Sequence, residues 1–318
     1  MNKTKVLIIG GCGAIGSRLT KKLLDEGSSE IIVIDNLSSS IKLKEQTNLH
    51  FEYIDIGNQE KVTSFFKKYS PELIFHMAAH FANQNSVDHP ISDVETNIIG
   101  LINIFESQRN NPNLKKIIYC SSSCVYGDQA VMQETDPVRP FETPYAINKF
   151  VGELYCKYYS ELYSIPSAIL RIFNSFGPGE SPGNYRNVIP NFIDKALKNE
   201  DIVITGTGEE TRDYCYVDNT VYLLKKLSHS NFHKAEFFNG GSGVETKIID
   251  IANIIIGLTN SKSNIIFQEP RSWDHVKNRK ADISLSIKEL DYKPTNNLEK
   301  QIQQTIDWIK NDNDSKGY

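Results

Sequence analysis

The chain has 318 residues, of which 39% are hydrophobic, and its formal net charge is -4. This length supports either one large α/β domain or a large domain with a smaller companion, and the slightly acidic balance gives no basic surface for a nucleic-acid backbone. The sequence contains no apolar run of the roughly 20 residues that a membrane-spanning helix needs. We therefore expect a soluble protein that binds a small molecule, without a membrane or nucleic-acid partner.

The five cysteines are scattered and form no CxxC pair, so neither a disulfide framework nor a zinc site is predicted. His76 and His80 have no convincing further ligands nearby, and we expect no metal. The apolar run near the N-terminus is too short for the core of a secretion signal. These features predict a cytoplasmic protein.

A glycine-rich turn at residues 10–16 follows a short Val-, Leu- and Ile-rich run at 5–9, which is typical of a buried parallel strand. Glycines at 10, 13 and 16 allow a tight turn and a close approach of a pyrophosphate to the following helix N-terminus. The next strand ends at Asp35, where a carboxylate would bind an adenosine ribose and repel a 2′-phosphate. The sequence therefore predicts NAD, in preference to NADP, as the cofactor.

Strands and helices continue to alternate beyond this first unit. The predicted elements are strands at 51–54, 73–76 and 116–120 and helices at about 61–69 and 92–109. This alternation predicts a Rossmann-type doubly wound parallel sheet, which binds ligands at the carboxyl ends of its strands. Ala78 and Ala79 follow one such end, where small side chains would either admit a dinucleotide or allow tight helix packing.

Tyr145 and Lys149 are four residues apart in a segment that reads as helical. On one helix face the ammonium would favour the ionised phenol, lower its pKa and make it a general base. The Ser-rich turn at 121–124 precedes this helix, so Ser122 would hydrogen-bond the oxygen that Tyr145 deprotonates. An ordinary surface pair and a polar capping loop are the alternative interpretations.

These segments together resemble the extended short-chain dehydrogenase/reductase family, and most closely its NAD-dependent nucleotide-sugar epimerase branch. The matching motifs lie at 10–16, 35–36, 55–56, 76–79, 97, 121–127, 145–149, 170–174, 187–190, 206–213, 217–218 and 271–274. The resemblance implies a Rossmann-type α/β fold with an NAD-binding domain at 1–175, to which later segments return. A smaller C-terminal α/β domain, mainly at 176–318, would bind the nucleotide sugar.

By this resemblance, Ser122, Tyr145 and Lys149 are the catalytic residues. The expected cofactor-binding residues are Gly10, Gly13, Ala14, Ile15, Asp35, Asn36, Asp55, Ile56, Ala78, Ala79, Tyr145 and Lys149. The expected substrate-binding residues are Ser122, Ser123, Asn174, Asn187, Val188, Arg212, Arg271 and Asp274. Arg212 and Arg271 suit bidentate pyrophosphate contacts, although Arg212 beside Asp213 is also compatible with a surface ion pair. For Arg279, contact with a carboxylated sugar and a solvated surface position both remain open.

The resemblance also narrows the reaction. Related nucleotide-sugar 4,6-dehydratases carry an Asp-Glu pair where this chain has Ser123 and Cys124, and decarboxylating relatives usually keep the Glu. Elimination and decarboxylation would lack that acid/base group here. The implied enzyme is an NAD-dependent isomerase that inverts C4 of a UDP-linked hexose, of the glucose/galactose type or its N-acetyl or uronic acid form. A net oxidoreductase and a non-catalytic NAD-sensing scaffold are the alternatives.

The family resemblance also implies a homodimer. Its members usually pair through two helices per subunit, which here would be the predicted helix at 92–109 and the helix that carries Tyr145.

Overall fold

The computed structural model describes residues 3–27, 29–38, 43–44 and 46–316. The strands are β1 Thr4–Ile9, β2 Ser29–Asp35, β3 Leu49–Tyr53, β4 Leu73–His76, β5 Lys116–Ser122, β6 Val131–Met132, β7 Ser167–Ile172, β8 Ser175–Phe176, β9 Ile202–Thr205, β10 Thr211–Asp213, β11 Cys215–Tyr216, β12 Lys234–Gly240, β13 Glu245–Lys247, β14 Ile265–Gln268 and β15 Lys280–Ala281. The helices are α1 Ala14–Glu26, α2 Gln59–Lys68, α3 Asn83–Asp88, α4 Pro90–Val94, α5 Gly100–Gln108, α6 Pro144–Tyr163, α7 Val188–Leu197, α8 Val217–His229, α9 Ile248–Thr259, α10 Ser284–Leu290 and α11 Leu298–Lys316.

Seven parallel strands form the central sheet in the order β12-β7-β5-β4-β1-β2-β3. The apolar runs predicted as buried strands supply its centre, and every residue of β5 is buried. The strand order reverses between β1 and β4, so a crevice opens at their carboxyl ends. The predicted doubly wound Rossmann-type sheet is confirmed.

Helices cover both faces of this sheet because its strands expose apolar side chains on both sides. Leu19 of α1 and Leu223 of α8 belong to the core on one face. Phe65 of α2 and Phe105 of α5 belong to the core on the other face. A third apolar core joins α7, α9 and α11 in the C-terminal part of the chain, where Phe192, Ile255 and Ile306 meet.

The segment predicted as a helix at about 92–109 is helical without a break from residue 90 to residue 108, but it is not α-helical throughout. The structure forms α4, a π-helical turn Glu95–Ile99 and then α5 along this segment. The wider turn places the Asn97 amide where it donates to Asp93 Oδ1 at 2.8 Å, while a Cβ on Gly100 would come within 2.5 Å of Ile56. Side-chain hydrogen bonding and close packing therefore set a local geometry that helical periodicity does not encode.

A buried ion pair fixes α6 against the sheet. The Arg171 guanidinium on β7 donates to both carboxylate oxygens of Glu153 on α6, at 2.9 and 2.7 Å. Ser121 Oγ donates to the same carboxylate at 2.6 Å, and the rings of Tyr126 and Phe237 lie against the guanidinium. These contacts join α6, β5 and β7 directly behind the ends of the strands.

In the part of the chain that the structure describes, no helix is both long and apolar enough to cross a membrane.

Candidate active site

The glycine-rich turn connects β1 to α1 at the crevice. Gly10 has φ +77°, and a Cβ there would lie 2.6 Å from the Ala78 amide nitrogen. A Cβ on Gly16 would lie 2.2 Å from the Gly10 carbonyl oxygen, so both positions require glycine. Gly13 occupies the N-cap position of α1 and has no side chain to cap the first turn. The backbone N–H groups of that turn are therefore suited to bind an anion.

Two carboxylates stand at the ends of neighbouring strands. Asp35 ends β2, and its carboxylate accepts hydrogen bonds from the Cys12 and Leu37 amides at 3.0 and 2.8 Å. Asp55 follows β3 and accepts from Asn36 Nδ2 at 2.9 Å. These bonds hold both carboxylates at the carboxyl ends of neighbouring strands, where Asp35 has the position that ribose recognition requires.

Tyr145 and Lys149 lie in the first turns of α6, as their spacing predicts. The helix begins after Thr143, whose hydroxyl accepts from the Ala146 amide at 3.2 Å. Lys149 Nζ donates to the Cys120 carbonyl at 2.8 Å and lies 5.6 Å from the centre of the Tyr145 ring. Ser122 ends β5 and accepts from the Cys124 amide at 3.2 Å. Helix α6 and strand β5 thus place a phenol, an ammonium and a hydroxyl in one region.

The expected lowering of the Tyr145 pKa is wrong for the structure as it stands. Burial raises the pKa of the Tyr145 phenol well above its ordinary value, and hydrogen bonding with Ser122 only partly opposes this effect. Burial likewise lowers the pKa of Lys149. Desolvation penalises the charged form of each group, and the spacing of residues in a sequence does not reveal how deeply a helix face is buried.

One cavity of about 510 Å³ contains most of the predicted site. The predicted residues that line it are Gly10, Gly13, Ala14, Ile15, Asp35, Asn36, Asp55, Ile56, Ala78, Ala79, Ser122, Ser123, Tyr145, Lys149, Asn174 and Asn187. It runs from the glycine turn to the carboxyl end of β5, so the residues predicted to bind the dinucleotide and those predicted to react share one space. Among the described residues, no group of three or more His, Cys, Asp or Glu side chains is arranged to hold a metal ion.

Four predicted substrate-binding residues do not line this cavity. Arg212 lies on β10 and pairs with Asp274 at 3.3 Å, not with its sequence neighbour Asp213. Arg271 is exposed and its guanidinium lies 5.7 Å from the centre of the Trp273 ring. Val188 packs against the third apolar core.

Arg279 lines the cavity and is only 5% exposed, so the solvated position considered from sequence is wrong. Cys124 also lines the cavity and accepts a hydrogen bond from Arg279 at 3.5 Å. In the sequence, Arg279 stands in a charged stretch just before β15. The pairing of β15 with the distant β6 then decides where its side chain lies.

His76, at the end of β4, makes the stability of the fold depend on pH. Burial, with a smaller effect from Lys149, lowers its pKa from 6.5 to about 3. Between these values the unfolded chain binds a proton that the folded chain does not, so stability falls as pH falls below 6.5. We expect His76→Leu to reduce the slope of unfolding free energy against pH by about 1.4 kcal/mol per unit between pH 4 and 6. Urea denaturation at several pH values measures it, and equal slopes would contradict the prediction.

A protein-family model described as the NAD dependent epimerase/dehydratase family matches residues 6–239 of this chain. A protein of Methanocaldococcus jannaschii described as a putative UDP-glucose 4-epimerase is 35% identical, covering 97% of this chain and 99% of its own. A UDP-N-acetyl-alpha-D-glucosaminuronate decarboxylase of Bacillus cytotoxicus is 30% identical, with 97% and 98% covered.

A solved structure shows the same fold over nearly the whole chain. An epimerase of Methanothermobacter thermautotrophicus superposes with a TM-score of 0.94 at 37% sequence identity. The similarity covers 99% of this chain and 94% of that one.

Proposed function

This chain belongs to the NAD-dependent epimerase/dehydratase family, and we propose that it inverts C4 of a UDP-linked hexose through a transient 4-keto sugar. The supporting observation is that Ser122, Tyr145 and Lys149 line the same cavity as the glycine turn and Asp35. Positions 123 and 124 hold Ser and Cys, so they supply no carboxylate for elimination.

NAD is the cofactor of the family, and the cavity suits it. Among the described residues, the near contact of a Cβ on Gly13 would be the Gly10 carbonyl oxygen, 3.4 Å away, so the turn leaves room for a ligand beside the α1 N-terminus. We propose that this turn holds the pyrophosphate, that Asp35 and Lys149 hold the riboses, and that Asp55 and Ile56 hold the adenine. When bound, NAD accepts a hydride from a sugar carbon and returns it.

The chain's own residues move the proton of the reacting sugar hydroxyl and hold its oxygen. Tyr145 takes the proton from the sugar O4 and later returns it, while Ser122 hydrogen-bonds the same oxygen. Lys149 places a positive charge 5.6 Å from the centre of the Tyr145 ring, and the hydrogen bond with Ser122 opposes the desolvation that disfavours phenolate. The planar 4-keto carbon can be reduced on either face, so rotation of the sugar within the cavity leads to inversion.

The direct test is NMR of UDP-, dTDP- and GDP-sugars incubated with the purified protein. We expect a new anomeric signal from the C4 epimer of a UDP-sugar, approached from either side of the equilibrium. Failure of every nucleotide sugar to react, with NAD bound, would contradict the proposal.

The rival activities have separate signatures. A net oxidoreductase accumulates reduced nicotinamide, which absorbs in the near ultraviolet, whereas an epimerase shows no steady change. A decarboxylase such as one of the curated relatives would release carbon dioxide. An NAD-sensing scaffold would bind NAD without converting any sugar.

The proposed assembly is a cytoplasmic homodimer. Helix α6 packs against α4 and the π turn, and large apolar side chains on these elements are exposed, among them Ile91, Ile99, Leu154 and Leu162. A second copy of the same surface would bury them. Sedimentation equilibrium measures this assembly.

All five cysteines are free and buried, which supports a reducing compartment.

A further inference from the structure

The Arg279 guanidinium is a buried cation with incomplete pairing inside the cavity. It is 5% exposed, and its Nε has no hydrogen-bond partner among the described residues. Its Nη1 donates to Cys124 Sγ at 3.5 Å, but thiol sulfur is a weak acceptor. A buried charge needs a closely paired anion to offset the cost of desolvation.

Of the neighbouring carboxylates, Glu142 forms an ion pair with Arg279 but no hydrogen bond, and Asp274 pairs with Arg212. Glu142 Oε2 is 3.7 Å from Arg279 Nη2, which is too long for a hydrogen bond. Burial raises the pKa of Glu142, and the nearby Arg279 charge partly opposes that shift. Asp274 is paired instead with Arg212, at 3.3 Å. Burial and the nearby Arg279 charge both lower the pKa of Arg212, so two guanidinium groups repel each other at this end of the site.

Arg279 also lies beside the proposed reacting groups. Cys124, which accepts its hydrogen bond, packs with Tyr145 in one apolar cluster. The Cys124 amide donates to Ser122 Oγ at 3.2 Å. A sugar oxygen bound by Ser122 and Tyr145 would therefore place the substituents of the adjacent ring carbons near Arg279.

Resting on the proposed function, we infer that Arg279 binds a carboxylate carried next to the reacting carbon, so that the preferred substrate is an acidic nucleotide sugar. The planar guanidinium presents paired donors that match a carboxylate. A hydroxymethyl group would leave the buried cation with only the Glu142 carboxylate, 3.7 Å away, and without a hydrogen-bonded anion. This difference gives discrimination between acidic and neutral sugars.

The test compares kcat/KM for three substrates. UDP-glucuronate carries its carboxylate on C5, UDP-N-acetylmuramate carries one on a C3 ether, and UDP-glucose is neutral. We expect one acidic sugar to be preferred by at least about tenfold, and its identity distinguishes the C5 position from the C3 position. Arg279→Gln should reduce that kcat/KM roughly thirtyfold while changing the value for UDP-glucose less than about threefold.

Two controls separate this role from a structural one. Arg279→Lys keeps the charge and should retain part of the acidic preference. Arg186→Gln removes another arginine that lines the cavity, and its effect should be equal for acidic and neutral sugars. Calorimetry should show that UDP alone binds equally well to wild type and Arg279→Gln, because the pyrophosphate is not the group that Arg279 binds.

Several results would overturn the inference while leaving C4 epimerisation intact. These are a wild-type preference for UDP-glucose, an equal loss for all sugars in Arg279→Gln, or a parallel loss of UDP affinity. If no nucleotide sugar is converted by wild type although NAD is bound, the proposed function itself fails, and the inference with it.

Discussion

Tyr145→Phe lowers turnover by roughly a hundredfold or more, because removal of a general base costs that much or more in rate. The substitution removes only the hydroxyl, which sits in the shared cavity beside Ser122, and keeps the ring that packs with Cys124 and Phe81. NAD should remain bound, since the proposed contacts with its pyrophosphate and adenosine lie on the glycine turn and on Asp35. The measurement is the initial rate of C4 epimer formation, together with the bound NAD content of each variant.

Tyr155→Phe is the matched control for this variant. It removes a tyrosine hydroxyl from the same helix, outside the residues that line the cavity, and should keep near-normal turnover.

In wild type, kcat/KM should rise with pH over the neutral to alkaline range, because burial raises the Tyr145 pKa and the base acts when deprotonated. Near-normal turnover by Tyr145→Phe would rule out this base.

Glu153→Leu should destabilise the fold by about 3–5 kcal/mol, because it leaves the Arg171 guanidinium buried without its carboxylate. Arg171 is 2% exposed, and Glu153 accepts from both Arg171 and Ser121. The free energy of unfolding, measured by urea denaturation, reports the effect. The ends of β5 and β7 should also loosen, which protection of their amides from hydrogen exchange would show.

The double variant Glu153→Leu/Arg171→Met separates charge from packing. It removes both charges and keeps apolar side chains of similar length between the rings of Tyr126 and Phe237. We expect it to recover part of the stability that the single variant loses. If the double variant is less stable than the single one, the stacking of the guanidinium on the two rings contributes more to stability than relief of the unpaired charge does.

The fold and the glycine turn that lines the cavity were predictable because they depend on local patterns. Short Val- and Ile-rich runs followed by glycine indicated β1 and its turn, and the structure has both. The strand ending at Asp35 is likewise present. A turn that needs glycine and a buried strand each produce a pattern within a short stretch of sequence. Such patterns can be recognised without the tertiary structure.

The part of the cavity wall formed by the C-terminal segments was less predictable because it is assembled from residues far apart in the sequence. Arg212 and Arg271 match a motif, yet they do not line the cavity with Tyr145, whereas Arg279 does. That side chain reaches the cavity through the pairing of β15 with β6, which are about 150 residues apart. The residues around position 279 show no periodic pattern that would predict this strand pairing.

The sequence by itself determined the alternating α/β order, the glycine turn and the Tyr145/Lys149 spacing, since each depends on residues close together in the chain. Only the tertiary structure decided how deeply those groups are buried, and hence that burial raises the Tyr145 pKa when spacing alone predicted the opposite. It also placed Arg279 beside Cys124 with its charge incompletely paired. Burial depends on everything packed around a group, and those neighbours come from segments far apart in the sequence.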